Sequence, residues 1–236
     1  MSLAATRAAL ERAGFNLTAP LSAREYDAIV APEWRSGDLR RDCRSVLIVA
    51  NGGGALWDCF QRAPEWKERR DPLDRYTSRV LRECGATHFA SYRDRRRGRM
   101  LPLVALAECA GLGSPGRLGL LLHPVYGPWM SLRAVVYSSE EVVLDPAPVF
   151  NPCTGCAAPC VSACRGGALD GDGFDGSRCF RTKLLDAGCR TACDARAACV
   201  LAPEHAFPAD QVAHHSRIGW TPGLALHALR VMARRS

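Results

Sequence analysis

The stretch "CTGCAAPCVSACRGGALDG", residues 153–171, places Cys153, Cys156, Cys160 and Cys164 within twelve residues. The run reads C-x2-C-x3-C-x3-C. A looser group follows it: Cys179, Cys189, Cys193 and Cys199. An iron–sulfur cube needs four thiolates converging on a compact core. A short loop wrapped around the cube supplies three of them and a more distant cysteine the fourth. In two-cluster ferredoxins the last cysteine of each run crosses to the other cluster. By that rule Cys153, Cys156 and Cys160 pair with Cys199, and Cys164 joins Cys179, Cys189 and Cys193.

Other metals and plain thiols give competing readings. Zinc also takes four thiolates, usually as two well-separated C-x2-C pairs, and four cysteines in one tight run suit it poorly. Buried or disulfide-linked thiols are a third reading. The spacing also departs from a ferredoxin. Arg165 and Val200 stand where a proline normally follows the last cysteine, and the gaps 156–160 and 193–199 are long. One cluster or two therefore stays open.

The chain has 236 residues, enough for one large domain or a medium one plus a small one. Hydrophobic residues make up 47%, which permits a sizeable core. No apolar run approaches the roughly 18 residues of a membrane span. The start, "MSLAATRAALERAGF", carries Arg7, Glu11 and Arg12 and reads as an amphipathic helix rather than a signal peptide. These features predict a cytoplasmic protein with no membrane partner. In a reducing compartment, twelve cysteines point to metal or redox work more than to disulfides. The net charge of +7 rests on arginine, since only Lys67 and Lys183 are lysines. It can reflect codon usage or an anionic partner. Basic patches interleaved with aromatics are not evident, which argues against nucleic acid.

Upstream, "SVLIVANGGG" (45–54) reads as a buried strand running into a glycine turn, without the full dinucleotide fingerprint. "DPLDRYTSRVLREC" (71–84) reads as a helix capped by Asp71, with Pro72 at its first position. "LPLVALAECAGLG" (101–113) reads as a helix closed by Gly111. "RLGLLLHP" (117–124) and "SLRAVVYS" (131–138) read as the two strands of a hairpin. The prolines of 144–153 read as a linker, and "TPGLALHALRVMARRS" (221–236) as a last helix. The resulting division is a domain over 1–148 and a small loop-rich domain over 149–236, too poor in aliphatic runs to rely on a core.

The block "AECAGLGSPGRLGLLLHPVYGPWMSLRAVVYSS" followed by a cysteine-rich module resembles the epoxyqueuosine reductase family. The N-terminal part also resembles the cblC-type cobalamin-processing proteins. The matching pieces there are "DPLDRYTSRVLREC", "LHPVYGPWMSLRAVV" and "FPADQVAHHSRIG". The resemblance implies an α/β, nitroreductase-like domain that binds a corrinoid, followed by a ferredoxin-like domain with one or two [4Fe-4S] clusters. A flavin, the less favoured cofactor, stays open because the parent fold accommodates both. The resemblance also implies ligand-binding roles for Gly111, Gly113, His123, Pro124, Gly127, Trp129 and Arg133. Ordinary structural roles compete: a turn histidine, a core tryptophan, a solvated strand arginine. A small-molecule substrate or corrinoid, and a donor such as a flavodoxin or ferredoxin, are the implied partners.

One departure bears on the reaction. The reductases place a proton-donating aspartate shortly before the helix of 101–113, where this chain has "RGRMLP" with Arg99; Asp94 is the nearest carboxylate. Without a placed acid, epoxide reduction lacks its proton source. The sequence therefore predicts a substrate other than epoxyqueuosine and leaves the catalytic residues unassigned. Three functions compete: an iron–sulfur oxidoreductase, a ferredoxin-like carrier or sensor, and a zinc-stapled binding module.

Overall fold

The computed structural model describes residues 2–142, 149–170 and 173–216. The linker prolines at 146 and 148 and the helix expected over 221–236 lie outside the described residues.

The chain forms two compact units, Met1–Ser114 with Trp129–Phe150, and Pro115–Pro128 with Asn151–Ser236. This differs from a single cut after residue 148. The segment Pro115–Pro128 packs with the cysteine-rich part because two of its glycines receive that part closely. A Cβ on Gly119 would lie 2.4 Å from the Phe174 ring, and one on Gly127 would lie 2.6 Å from the Leu201 carbonyl oxygen.

The first unit is built on a four-stranded antiparallel sheet. Its strands are β1 (Leu17–Ser22), β2 (Ser45–Gly52), β3 (Phe89–Ser91) and β4 (Met130–Ser138), in the order β1-β2-β4-β3. Every residue of β2 is buried, as its continuous apolar run predicts for a central strand covered on both faces. Helices α1 (Leu3–Arg12), α2 (Ala23–Ile29), α3 (Ala55–Gln61), α4 (Pro72–Glu83) and α5 (Leu103–Cys109) accompany the sheet. A core cluster joins α1, α3 and α4 to β2 and β4 through Leu10, Trp57, Phe60, Leu81, Leu47 and Val136. Helix α4 buries Leu73, Tyr76, Thr77, Val80 and Leu81 along one stripe, the 3.6-residue pattern of its sequence. Asp71 stands at its cap position without a capping side-chain hydrogen bond; its carboxylate pairs with Arg93 instead. Helix α5 ends at Gly111, whose φ of 73° closes it in the left-handed conformation.

The expected hairpin between 117–124 and 131–138 does not form. The second segment is β4, flanked by β2 and β3. The first keeps only Leu121–Leu122 extended. A glycine turn interrupts it, with Gly119 at φ 67° donating to the Gly116 carbonyl at 3.0 Å. A strand cannot run through that turn.

The second unit is a series of short pieces: α6 (Pro159–Ala163), β5 (Leu169–Asp170), β6 (Gly173–Phe174), α7 (Gly176–Leu185), α8 (Ala187–Thr191), α9 (Asp194–Ala197) and α10 (Ala209–Ser216). Helices α7 and α8 bury no residue, and α6 buries only Cys160. Its fold thus depends on something besides apolar burial. No helix among the described residues is long and apolar enough to cross a membrane.

Candidate functional site

The eight clustered cysteines carry free thiols, as do the other four. They gather as two quartets. Cys153, Cys156, Cys160 and Cys199 line one cavity, together with Leu122 and Leu201. Burial pushes the Cys160 thiol above its ordinary range, and the proximity of Cys199, Cys153 and Cys156 pushes it the same way. In the second quartet Cys179 lies in electrostatic range of Cys193 and Cys164, and Cys189 in range of Cys193. Burial raises Cys179 and Cys189 as well. Thiols held up in this way release protons when a cationic metal core binds and stabilises the thiolates.

The backbone is arranged around these sulfurs. Ala158 takes a left-handed φ of 54°, and its amide donates to Cys156 Sγ at 3.3 Å. The amides of Arg117 and Ala168 donate to Cys153 Sγ and Cys164 Sγ at 3.4 and 3.3 Å. Amide hydrogen bonds to sulfur stabilise the thiolate form and are among the features that set a cluster's potential. Among the described residues no three His, Cys, Asp or Glu side chains are placed to hold one metal ion.

The other residues singled out by sequence fall into both units. In the second, His123 and Gly127 exchange backbone hydrogen bonds at 2.9 and 2.8 Å, closing a turn around Pro124. His123 Nδ1 accepts from the amides of Val125 and Tyr126 at 3.0 and 3.2 Å, and burial lowers its pKa. The neutral ring therefore carries its proton on Nε2 and offers a donor there rather than a metal-binding lone pair. Tyr126 stands between two imidazoles, its ring 5.2 Å from His123 and 4.7 Å from His205. Tyr126 and His205 were not singled out by sequence; their contact joins segments nearly eighty residues apart.

In the first unit, Gly113 and Trp129 are buried, and the Trp129 carbonyl accepts from the Gly53 amide at 2.9 Å. The "NGGG" glycines thus serve a strand-to-helix turn backed by β4. Arg133 is not a solvated strand charge; it is only 6% exposed. A β-bulge explains how a central strand admits it. Val49 pairs with Ala134 and Ala50 with Leu132, so Arg133 is the extra residue opposite β2. Its Nε donates to Asn51 Oδ1 at 3.5 Å. Desolvation lowers its pKa, while Tyr92 and Asp74 work in the opposite direction. Asn51, fully buried, leaves Nδ2 without a hydrogen-bond partner among the described residues. Two buried donors side by side suit a ligand rich in acceptor oxygens, such as carboxamide or carboxylate groups. Asn51 escaped notice because its strand reads as uniformly apolar; a polar residue ending such a run was the available signal.

The hairpin before α5 carries arginines where an acid would be needed. Arg99 pairs with Glu33 at 3.3 Å. The carboxylate of Asp94 accepts the Ser91 amide at 2.7 Å and so is engaged in a turn.

No family model matches the chain. Over 78 residues it is 40% identical to an epoxyqueuosine reductase of Lactococcus garvieae, covering 33% of this chain and 21% of that protein. Over 70 residues it is 36% identical to the epoxyqueuosine reductase of Listeria monocytogenes, covering 30% and 18%. The match thus spans about a fifth of these curated relatives. Among solved structures, the epoxyqueuosine reductase of Streptococcus thermophilus aligns with a TM-score of 0.52 at 16% identity, over 93% of this chain and 69% of that one. The Caenorhabditis elegans B12-trafficking protein CblC aligns with a TM-score of 0.56 at 12% identity, over 91% and 90%. Another neighbour is an epoxyqueuosine reductase held with a modified tRNA stem loop, with a TM-score of 0.53 at 16% identity, over 86% and 66%. The tRNA stem loop belongs to that neighbour. The resemblance read from the sequence is borne out: the chain has the α/β, nitroreductase-like fold of epoxyqueuosine reductases and CblC, and is similar in sequence to the reductases over a third of its length.

Proposed function

We propose that this protein is an iron–sulfur oxidoreductase whose cysteine-rich unit holds two [4Fe-4S] clusters and whose first unit binds a corrinoid or similar acceptor-rich small molecule. The observation that carries this reading is the grouping of eight free thiols into two quartets, one of them lining a cavity. Cys153, Cys156, Cys160 and Cys199 would hold one cluster, and Cys164, Cys179, Cys189 and Cys193 the other. Zinc suits the pattern poorly, because four cysteines in one tight run lack the loop length between pairs that a tetrahedral ion takes.

The chemistry these groups supply when bound is one-electron transfer between iron–sulfur clusters and a bound corrinoid or substrate. The residues of the chain do the rest. Amides of Arg117, Ala158 and Ala168 stabilise thiolate charge. Arg133 and Asn51 present donors to acceptor oxygens of the small molecule. With Asp94 engaged at Ser91 and arginine at position 99 paired with Glu33, the hairpin before α5 supplies no acid, among the described residues, where the reductase resemblance places its proton donor. We therefore propose a substrate other than epoxyqueuosine. The reductase and CblC likenesses support both halves of the proposal. A flavodoxin or ferredoxin is the proposed electron donor.

The test is protein isolated without oxygen and assayed for iron, acid-labile sulfide, zinc and cobalt. The expected sample is brown, absorbs near about 400 nm, bleaches on reduction, and changes spectrum when titrated with cob(II)alamin. Zinc without sulfide sinks the cluster reading; sulfide with no cobalamin response reduces the protein to a carrier.

A further inference from the structure

Helices α7 and α8 carry Cys179 and Cys189, and neither helix buries a residue. Both thiols are half-buried. A cluster that they hold lies close to the surface these helices present. That surface is cationic. Over 175–191 the chain has Arg178, Arg181, Lys183 and Arg190 against Asp175 and Asp186. Both acids are engaged as helix caps. Asp175 Oδ1 accepts the Arg178 amide at 2.9 Å, and Asp186 Oδ1 accepts the amides of Gly188 and Cys189 at 2.7 and 3.4 Å. The second oxygen of Asp186 faces Arg165 at 3.7 Å. None of the four cations forms an ion pair among the described residues.

The cations are held around an apolar side chain. Leu185, the last residue of α7, is 70% exposed. Arg178 lies seven residues before it and so shares its stripe of the helix. Arg178 Nη1 donates to the Gly167 carbonyl at 2.7 Å, and Arg190 Nη1 donates to the Leu184 carbonyl at 2.9 Å. The second bond sets Arg190 beside Leu185. These carbonyls fix the guanidinium groups and leave their charge unbalanced. Lys183 stands one turn after Cys179 on the same helix. An exposed leucine among unneutralised cations suits a protein partner, whose contact face has an apolar centre and a charged rim. A phosphate polymer would meet the cations and leave the leucine without a partner.

We infer that the α7–α8 surface is the docking face for an acidic electron-carrier protein, which packs on Leu185 and places carboxylates against Arg178, Lys183 and Arg190. The carrier loses one electron and the cluster held by Cys179 and Cys189 gains it. This rests on the cluster reading, and it names the place where the proposed flavodoxin or ferredoxin donor lands. Encounters between redox proteins bury little area, below about 1,200 Å², and are steered by charge, so the effect appears in the association rate and its salt dependence.

The experiment is stopped-flow reduction of anaerobically isolated full-length protein, read by bleaching near about 400 nm. Iron and acid-labile sulfide are measured first, and protein without sulfide overturns the cluster reading and this inference with it. The probe is a reduced plant-type [2Fe-2S] ferredoxin, an acidic protein. Photoreduced deazaflavin serves as a small reductant that needs no docking face. Reduction of wild type by ferredoxin should slow at least about tenfold between about 10 mM and about 1 M salt, as steering is screened. The double variant Lys183→Glu with Arg190→Glu should be at least about tenfold slower than wild type at low salt and should match it at high salt. Leu185→Ser should be slower at both. Arg35→Glu with Arg41→Glu, an equal charge change at two exposed positions of the first unit, should behave as wild type. Deazaflavin should reduce every variant at the wild-type rate. A deficit of the Lys183 and Arg190 variant that persists at high salt marks an altered cluster potential and overturns the inference. Equal slowing by the Arg35 and Arg41 variant, or a wild-type rate in Leu185→Ser, also overturns it. So does ferredoxin that fails to reduce protein which deazaflavin reduces, an outcome that leaves the cluster reading standing. If the double glutamate variant does not retain iron, Lys183→Gln with Arg190→Gln takes its place under the same criteria.

Discussion

The backbone amide of Arg117 donates to Cys153 Sγ at 3.4 Å, tying two residues thirty-six apart in sequence. The segment after α5 therefore helps to build the cysteine-rich unit. Its glycines follow from this: Gly119 leaves room for the Phe174 ring and Gly127 for the Leu201 carbonyl.

Quartet membership predicts which substitutions share a phenotype. Cys153→Ser, Cys156→Ser and Cys199→Ser should each lower iron and sulfide to about half of wild type, with the same EPR signal missing. Cys164→Ser and Cys189→Ser should remove the other signal. Metal analysis with EPR reads the outcome. If Cys164→Ser removes the same signal as Cys156→Ser, the crossed assignment is wrong.

Much of this was legible in the sequence, for identifiable reasons. The proposed grouping of cysteines rests on short loop spacing plus one distant partner, and it remains part of the proposal. β2 and α4 follow from a continuous apolar run and a 3.6-residue stripe. The burial of Arg133 was not legible, because it depends on a bulge set by pairing between strands some eighty residues apart. Nor was the failure of the 117–138 hairpin. Apolar runs joined by a short link predict such a hairpin, and only packing of Gly119 and Gly127 against distant segments shows otherwise. The pairing of Asp71 with Arg93 in place of a helix cap is likewise tertiary.

Gly127 gives a stability test of that packing. Its φ is 52°, and a Cβ would come within 3.0 Å of two backbone atoms of Leu201. Gly127→Ala should destabilise the folded protein by about 1–3 kcal/mol, the usual cost of a forced left-handed conformation. Chemical denaturation of iron-loaded protein measures it. A midpoint equal to wild type would show that the turn and Leu201 separate at no cost.

Acid sensitivity of the first unit should trace in part to Glu65. Its carboxylate accepts from Arg79 Nε at 2.6 Å and Nη2 at 3.2 Å, and this bonding holds its pKa below the usual carboxylate range. A carboxyl depressed in the folded state contributes stability above its unfolded pKa of about 4.3 and loses it as pH falls through the folded value. Glu65→Gln should therefore be less stable than wild type at pH 7, with the gap closing as pH drops below 4. Denaturation curves at the two pH values test this; a gap that persists in acid would place the effect in packing rather than charge.

Arg133 separates the proposed ligand binding from cluster assembly. Arg133 and Asn51 lie in the first unit, on β4 and β2, and none of the eight clustered cysteines belongs to that unit. A hydrogen bond from a charged donor contributes about 1.5–3 kcal/mol. Arg133→Met, which fills much of the same volume without burying a charge, should therefore weaken cob(II)alamin binding by about ten- to a hundredfold. Iron and sulfide content should stay at the wild-type level. Asn51→Leu should weaken binding in the same direction, since it removes the unpaired Nδ2 donor beside the guanidinium. Spectral titration of each variant reads affinity, and metal analysis of the same sample reads the clusters. Unchanged affinity in both variants would move the small-molecule site away from the bulge in β4. Loss of iron in Arg133→Met would mean that the arginine supports the fold on which both units depend.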